Sequence, residues 1–409
     1  MDTEAAPTLI NFSALEQKAS AVFTPARPIA QDNLFAGRLI QVRKLVDAIN
    51  QPGQHAVLFG ERGVGKTSLA NVLGEKWLGS GYIIAPRIGC LSNDDWSELW
   101  TKALSEINLT IKDPRMGFRN APAESVVNAA SQLPENFSLN DVRISLTTIG
   151  HQAVLVLIFD EFDQLNAKTR KAMAEAVKQF SDYNVPATLI LVGVADSVGE
   201  LLRDHQSVER ALVQVQMPRM SDAELEQILN TGFTSLGMTG TPGAMKRIIY
   251  LSRGLPHYTH LLGLHSSRTA LRRASLEVNE DDVKNAIGVA LENSQQSHKD
   301  AYVAATSSSQ KNHLYCQVLL ACALADTNPE TGYFTASAVR DPLSAIMKKR
   351  YDIPSFARHL NEFCSEKRKH ILERIGDKRN YKFRFRNPLM QPFVVLKGYA
   401  SGMISADVD

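Results

Sequence analysis

The sequence predicts an α/β fold, a parallel sheet with helices on both faces, followed by all-helical and mixed units. Three observations predict it. A short apolar strand from His55 to Phe59 runs into a glycine-rich loop, Gly60 to Thr67, and a helical pattern follows. A second apolar run, Val154 to Phe159, is uninterrupted, as expected of a strand buried on both sides of a parallel sheet. Strands and helices alternate around these two, the pattern of a doubly wound domain.

Residues 1–34 read as an extended or loosely helical leader with several prolines. Phe35-Ala36-Gly37-Arg38 then precedes a helical segment in which Leu39, Val42, Leu45, Val46 and Ile49 share one face. Pro52 and Gly53 end it. Further on, Tyr82–Ile88 reads as a strand and Asp94–Ile107 as a helix with Trp96 and Trp100 on one face. Asp113–His151 is punctuated by Pro and Asn and reads as a helical insertion or surface excursion. Lys168–Tyr183 is a helix, and Thr188–Val194 and Leu212–Met217 are strands, so the α/β domain spans 35–219.

After Pro218 the pattern is all-helical. Ser221 with Glu224 three residues on has the spacing of a capping box, and helices follow near Gly243–Ser252, Tyr258–Ala274 and Glu280–Glu292. This helical unit spans 220–295. The polar, serine-rich residues 296–312 read as a linker. In 313–409, helical patterns over Leu314–Ala325, Thr335–Met347 and Ser355–Glu366 lead into strands around Ile371–Glu373 and Tyr381–Phe385, an order that predicts a winged helix.

Composition narrows the function. Hydrophobic residues make up 44% of the 409, charged residues 22%, and the formal net charge is +2. These values suit a soluble globular chain of two or three domains, and any basic surface must be local. Cys90, Cys316, Cys322 and Cys364 have no metal-ligand spacing. Cys316 and Cys322, six apart in an apolar helical pattern, read as buried thiols, and a chain of this size without need of disulfides suits a reducing cytoplasm. Met1–Ala6 has no basic-then-apolar signal, and no apolar stretch reaches the ~20 residues needed to cross a bilayer, so no membrane partner is expected.

The loop Gly60, Glu61, Arg62, Gly63, Val64, Gly65, Lys66, Thr67 and Ser68 predicts an ATP site with Mg²⁺. Glycines let successive N–H groups curl around phosphate oxygens, and the helix that follows aims its positive dipole end at them. Lys66 offers a point charge to the β- and γ-phosphates, and Thr67 offers a hydroxyl to Mg²⁺. Asp160, at the end of the Val154–Phe159 run, is the second Mg²⁺ residue, and Glu161 is the base for the attacking water. Asp196 and Ser197 follow the next strand, where they could touch the γ-phosphate or cap a helix.

Basic residues outnumber acidic ones by fifteen to six between Arg340 and Lys397, with clusters at Lys348-Lys349-Arg350 and Lys367-Arg368-Lys369. Tyr381, Phe383 and Phe385 alternate with Lys382, Arg384 and Arg386, which at strand spacing puts aromatics on one face and cations on the other. That arrangement suits phosphate-backbone contact to DNA, and it also suits a charge-blunted edge strand.

Taken in order over Phe35–Glu292, these motifs resemble AAA+ ATPases of the origin-recognition and replication-initiator branch and the related STAND switch ATPases. The resemblance implies ATP hydrolysis, nucleotide-dependent self-association, and a lid formed by Ser221–Glu292. It implies that Phe35-Ala36-Gly37-Arg38 packs near the adenine. It also implies that an arginine before the last sheet strand reaches a neighbouring subunit's nucleotide, Arg210 being the first choice and Arg203 the second. Gly254-Leu255-Pro256 resembles the Gly-x-Pro signature of STAND proteins, whose proline packs on the adenine; Arg253 or His257 could approach the phosphates. Two functions are then expected. One is an ATP-dependent switch engaging DNA or a partner in replication, transposition or genome maintenance; the other is a STAND-like ATPase of bacterial defence acting on a protein effector.

Overall fold

The computed structural model describes residues 11–25, 37–78, 83–113, 123–195, 199, 206–309, 313–377 and 380–405. The chain divides into two compact units, one of residues 28–61 and 65–218, the other of 1–27, 62–64 and 219–409.

The first unit is built on strands β1 (His55–Gly60), β2 (Ile83–Ile84), β3 (Arg87–Gly89), β6 (Val154–Asp160), β7 (Ala187–Val194) and β8 (Leu212–Gln216). They form a parallel sheet in the order β2-β6-β7-β1-β8, with β3 also paired to β6. β7 therefore separates β1 from β6. Alternate residues of β6 face opposite ways: Leu155, Leu157 and Phe159 join one core with Trp100 and Phe180, while Val156 and Ile158 are buried on the other face. Burial on both faces is why the run carries no polar residue. Trp100 meets Phe159 and Phe180 edge-on at 5.5 and 5.8 Å, with Trp96 at 5.5 Å, so the expected tryptophan face is present.

Two stretches depart from the sequence reading. The single strand expected over Tyr82–Ile88 is two short strands; Pro86 between them has no N–H to give the ladder, although its carbonyl accepts from Ile158 at 3.0 Å. Asp113–His151, expected as a helical insertion or surface excursion, contributes the strand β5 (Ala123–Asn128), antiparallel to β4 (Asn108–Asp113) just before it, and then the helix Leu139–Gly150. Thr110, Ile111, Val126 and Val127 are β-branched and favour strand, but only the pairing reveals it.

In the second unit, helices Asp222–Ser235, Pro242–Ser252, Pro256–Arg272 and Glu280–Glu292 pack together, and Ser221 and Glu224 form the expected capping box. The leader is more ordered than expected. Phe12–Val22 is a helix, packed along Pro256–Arg272. Phe23 is fully buried, 5.5 Å from the Phe233 ring and 6.0 Å from that of His260. A Cβ on Gly232 or Gly263 would come within 2.3 or 2.7 Å of the Phe23 ring, so both glycines are the socket for this side chain.

The residues expected as a linker are mostly helix, Gln296–Thr306. Its carboxyl end is held from far along the chain. Arg368, 5% exposed, donates to the carbonyls of Ala304, Ala305 and Ser307 at 3.2, 3.1 and 2.5 Å and lies 3.7 Å over the Tyr315 ring. Helices Tyr315–Leu324, Ala336–Met347 and Ile353–Phe363 follow, with a three-stranded sheet of Phe334–Thr335, Lys382–Phe385 and Leu372–Ile375 in that spatial order. A last helix, Met390–Ala400, was not legible beforehand because its apolar run, Phe393–Leu396, fits strand as well as helix.

Candidate nucleotide site

The loop between β1 and the helix Lys66–Leu78 is a backbone cradle. Gly60, Gly63 and Gly65 have φ of 148°, 89° and 98°, values that side-chain-bearing residues rarely adopt. At Gly60 space matters as well: a Cβ there would lie 2.5 Å from the Met217 carbonyl oxygen. Lys66 is 8% exposed, and its Nζ donates to the carbonyls of Gly60 at 2.9 Å and Glu61 at 2.7 Å. An ammonium group anchored on its own loop is a preset positive charge. The helix that begins at Lys66 presents its positive dipole end to this loop, which favours an anion there.

Asp160 and Glu161 lie at the carboxyl end of β6. Register places Gly60 opposite Val194 and Phe159 opposite Leu191, so the ends of β1, β7 and β6 lie along one edge of the sheet. With one strand between them, β1 and β6 are about 10 Å apart. Asp160 is 2% exposed, and its Oδ1 accepts the Glu161 N–H at 2.9 Å. Glu161 is exposed and left-handed, with φ 57°. Such a conformation costs on the order of 1 kcal/mol and is retained where the surroundings impose it. One constraint is visible: two residues on, Asp163 Oδ1 accepts the Val194 N–H at 2.8 Å, tying this turn to the end of β7.

Sequence reasoning missed Arg87. Its Nε and Nη2 donate to Asp160 Oδ2 at 3.1 and 2.8 Å, and its Nη1 donates to Asn71 Oδ1 at 2.9 Å. Arg87 sits on β3, two residues before Gly89, which pairs with Asp160. Only the sheet order brings it there, so nothing in the sequence signals it. Thr67 and Asp160 supply hard oxygen donors, which suit Mg²⁺, an ion held by few protein oxygens plus phosphate. Among the described residues no group of three or more His, Cys, Asp or Glu forms a metal site by itself.

The remaining expected residues are dispersed. Asp196, Ser197, Arg203, Phe35 and Ala36 lie outside the described residues. Arg38 is buried, and its Nη2 donates to the Pro218 carbonyl at 2.7 Å. Arg210 is exposed just before β8, at the amino end of the parallel strands and so at the opposite edge from Gly60–Lys66. Pro256 is buried in the second unit, at the first turn of Pro256–Arg272; its adenine role rests on the resemblance alone. Arg253 and His257 are engaged elsewhere. Arg253 Nη2 donates to the carbonyls of Leu324 and Ala325 at 3.2 and 3.3 Å, and His257 Nδ1 pairs with the Pro25 carbonyl at 2.8 Å.

The C-terminal cations also separate. Phe383 and Phe385 are buried, and Lys382 and Arg386 are exposed, as the alternation implies. Arg384 corrects the expectation of three phosphate-facing cations. It forms an ion pair with Glu373, donates to the Thr331 carbonyl at 3.2 Å and lies 4.5 Å over Tyr333. Arg368 is likewise withdrawn from its cluster into the interior, whereas Lys348, Lys349, Arg350, Lys367 and Lys369 are exposed.

Residues 49–202 match the family model described as AAA domain. No curated protein matches the chain by sequence. Among solved structures, the Walker-type ATPase of Pyrococcus abyssi is similar over 91% of this chain and 99% of its own, at 17% identity and a TM-score of 0.50. Cdc6p from Pyrobaculum aerophilum is similar over 94% and 99%, at 13% identity and a TM-score of 0.47. The Aeropyrum pernix ORC1 protein, solved in complex with DNA, is similar over 94% and 97%, at 14% identity and a TM-score of 0.46. Among the described residues no helix is long and apolar enough to cross a membrane. The glycine loop, the acidic end of β6 and the family match together show that this chain carries an AAA-type P-loop ATPase domain over residues 49–202.

Proposed function

We propose that this protein is an ATP-dependent AAA+ switch that binds and hydrolyses ATP, self-associates when nucleotide is bound, and engages DNA through a C-terminal winged helix. The observation that carries the reading is the alignment of Lys66, Asp160 and Glu161 along one edge of the sheet. In this reading Gly60–Ser68 cradles the phosphates and Lys66 transfers its Nζ from the loop carbonyls to phosphate oxygens. Thr67 and Asp160 hold Mg²⁺, which neutralises phosphate charge when bound. Glu161, exposed at the head of its turn, accepts the proton of the attacking water. Asp196 remains a candidate for the γ-phosphate. Arg210 lies at the opposite edge of the sheet from its own loop, which suits a residue that completes a neighbour's site.

The order of helices and strands from Tyr315 to Phe385 supports the winged-helix assignment, and the exposed Lys382 and Arg386 support phosphate contact. A second reading, a STAND-like ATPase acting on a protein effector, is favoured by one arrangement. Gly254 has φ 79°, and a Cβ on it would lie 2.9 Å from Arg219 Cβ. Arg219 in turn donates to Gln391 Oε1 at 2.5 Å, and Arg253 caps the helix Tyr315–Leu324. Arg219 and Arg253, which pack against and precede the Gly-Leu-Pro segment, thus bond to the C-terminal helices, an arrangement that suits an output switch.

The test combines turnover and assembly. Glu161→Gln should bind ATP as the parent does and hydrolyse none, and light scattering should show a mass increase with ATP that Arg210→Ala removes. Unchanged hydrolysis in Glu161→Gln would exclude Glu161 as the base. DNA affinity that is weak and insensitive to salt would favour the effector reading.

A further inference from the structure

The Arg87 guanidinium joins three elements around the candidate site. It stands on β3, bonds Asp160 at the end of β6, and bonds Asn71 on the helix that begins at Lys66. Asp160 Oδ1 is occupied by the Glu161 N–H and Oδ2 by two N–H groups of Arg87. Both oxygens of a buried carboxylate are therefore engaged, and one of them by a full positive charge. A carboxylate has about four acceptor positions, so a cation is not barred, but it must share or displace the guanidinium. The three anchored N–H bonds resist that displacement, since Arg presents a planar fork that a single contact does not hold. The Arg87 side chain is 39% exposed, which leaves it room to swing outward.

We propose that Arg87 is a positioning residue that sets the magnesium demand of the nucleotide site by competing with the ion for Asp160. The inference rests on reading Lys66, Thr67 and Asp160 as a magnesium–ATP site. With Arg87 in place, Asp160 is held and its charge balanced before nucleotide arrives, and magnesium recruits it only at a cost. Without Arg87, Asp160 is a buried carboxylate whose best available partner is the cation, so magnesium binds more tightly. Lysine at this position keeps the charge but loses the fork and the Asn71 anchor.

The experiment uses the full chain and a fluorescent ATP analogue, whose binding is titrated with Mg²⁺ from a chelated start. For Arg87→Gln the half-saturating Mg²⁺ should fall several-fold, while binding of the analogue in chelator stays equal or weakens. Arg87→Lys should lie between Arg87→Gln and the parent. Asn71→Ala should shift in the same direction by less, because it releases only the third anchor. If the parent binds the analogue with no magnesium dependence, the reading of the site fails and the inference with it. A magnesium-dependent parent and an Arg87→Gln protein with the same half-saturating Mg²⁺ and melting temperature would overturn the inference alone. Should Arg87→Gln fail to fold, unchanged magnesium dependence in both Arg87→Lys and Asn71→Ala would overturn it equally.

Discussion

Glu373 and Arg384 face each other across the antiparallel strands Leu372–Ile375 and Lys382–Phe385, and their side chains form an ion pair. The pair divides the alternating cations of Lys382–Arg386 into two kinds. Lys382 and Arg386 point their charge to solvent, whereas Arg384 spends its charge within the sheet. Reversing Lys382 and Arg386 together to Glu should therefore weaken DNA binding and reduce the slope of log affinity against log salt by about two. Arg384→Ala should leave that slope unchanged and cost about 0.5–1 kcal/mol of stability, as cross-strand ion pairs do. Filter binding across a salt series, paired with urea denaturation, separates the two.

Glu161 holds a left-handed backbone at φ 57°. Glycine accepts that conformation without penalty, so Glu161→Gly should stabilise the chain by about 1 kcal/mol while abolishing ATP hydrolysis. Urea midpoints and phosphate release measure the two effects. A destabilised Glu161→Gly protein would show that the side chain, and not the turn, holds this conformation.

Phe23 fills a socket lined by Gly232, Gly263, Phe233 and His260. Phe23→Ala should cost about 3–5 kcal/mol, the range for deleting a buried aromatic ring. Gly263→Ala should also destabilise, because the new methyl meets the ring at 2.7 Å. Denaturant unfolding checks both, and a neutral Phe23→Ala would mean that the Phe12–Val22 helix adds nothing to the second unit.

Burial lowers His55 and His260 to about 4, so both stay neutral in the folded chain at pH 5–6. An unfolded chain binds those protons near 6.5, so it holds more protons than the folded chain between about 4 and 6.5. Stability is then full above about 6.5 and falls as the pH is lowered towards 4. His260→Leu should flatten part of that dependence and His55→Gln another part, read as urea midpoints from pH 7.5 to 4.5. Parallel curves for parent and variants would contradict the burial of these imidazoles as the cause.

Local patterns carried much of the outcome. The uninterrupted apolar run of β6, the glycine spacing of the loop and the Ser221–Glu224 box are features of neighbouring residues, and each was legible in the chain. The aromatic face of Lys382–Phe385 followed from strand periodicity in the same way.

Elements that depend on distant partners were not legible. The Phe12–Val22 helix is stabilised by a socket more than two hundred residues away, and the carboxyl end of Gln296–Thr306 is held by Arg368. Composition alone made both look like loose segments. Arg384 and Arg368 read as surface cations until their partners Glu373 and Tyr315 were placed. The sequence by itself determined the glycine loop, Lys66 and the Asp160-Glu161 pair, because backbone cradles and strand ends are written in contiguous residues. Only the tertiary structure decided that Arg87 meets Asp160, because that contact depends on β3 lying beside β6, and the order of strands in a sheet is set by packing across the whole domain.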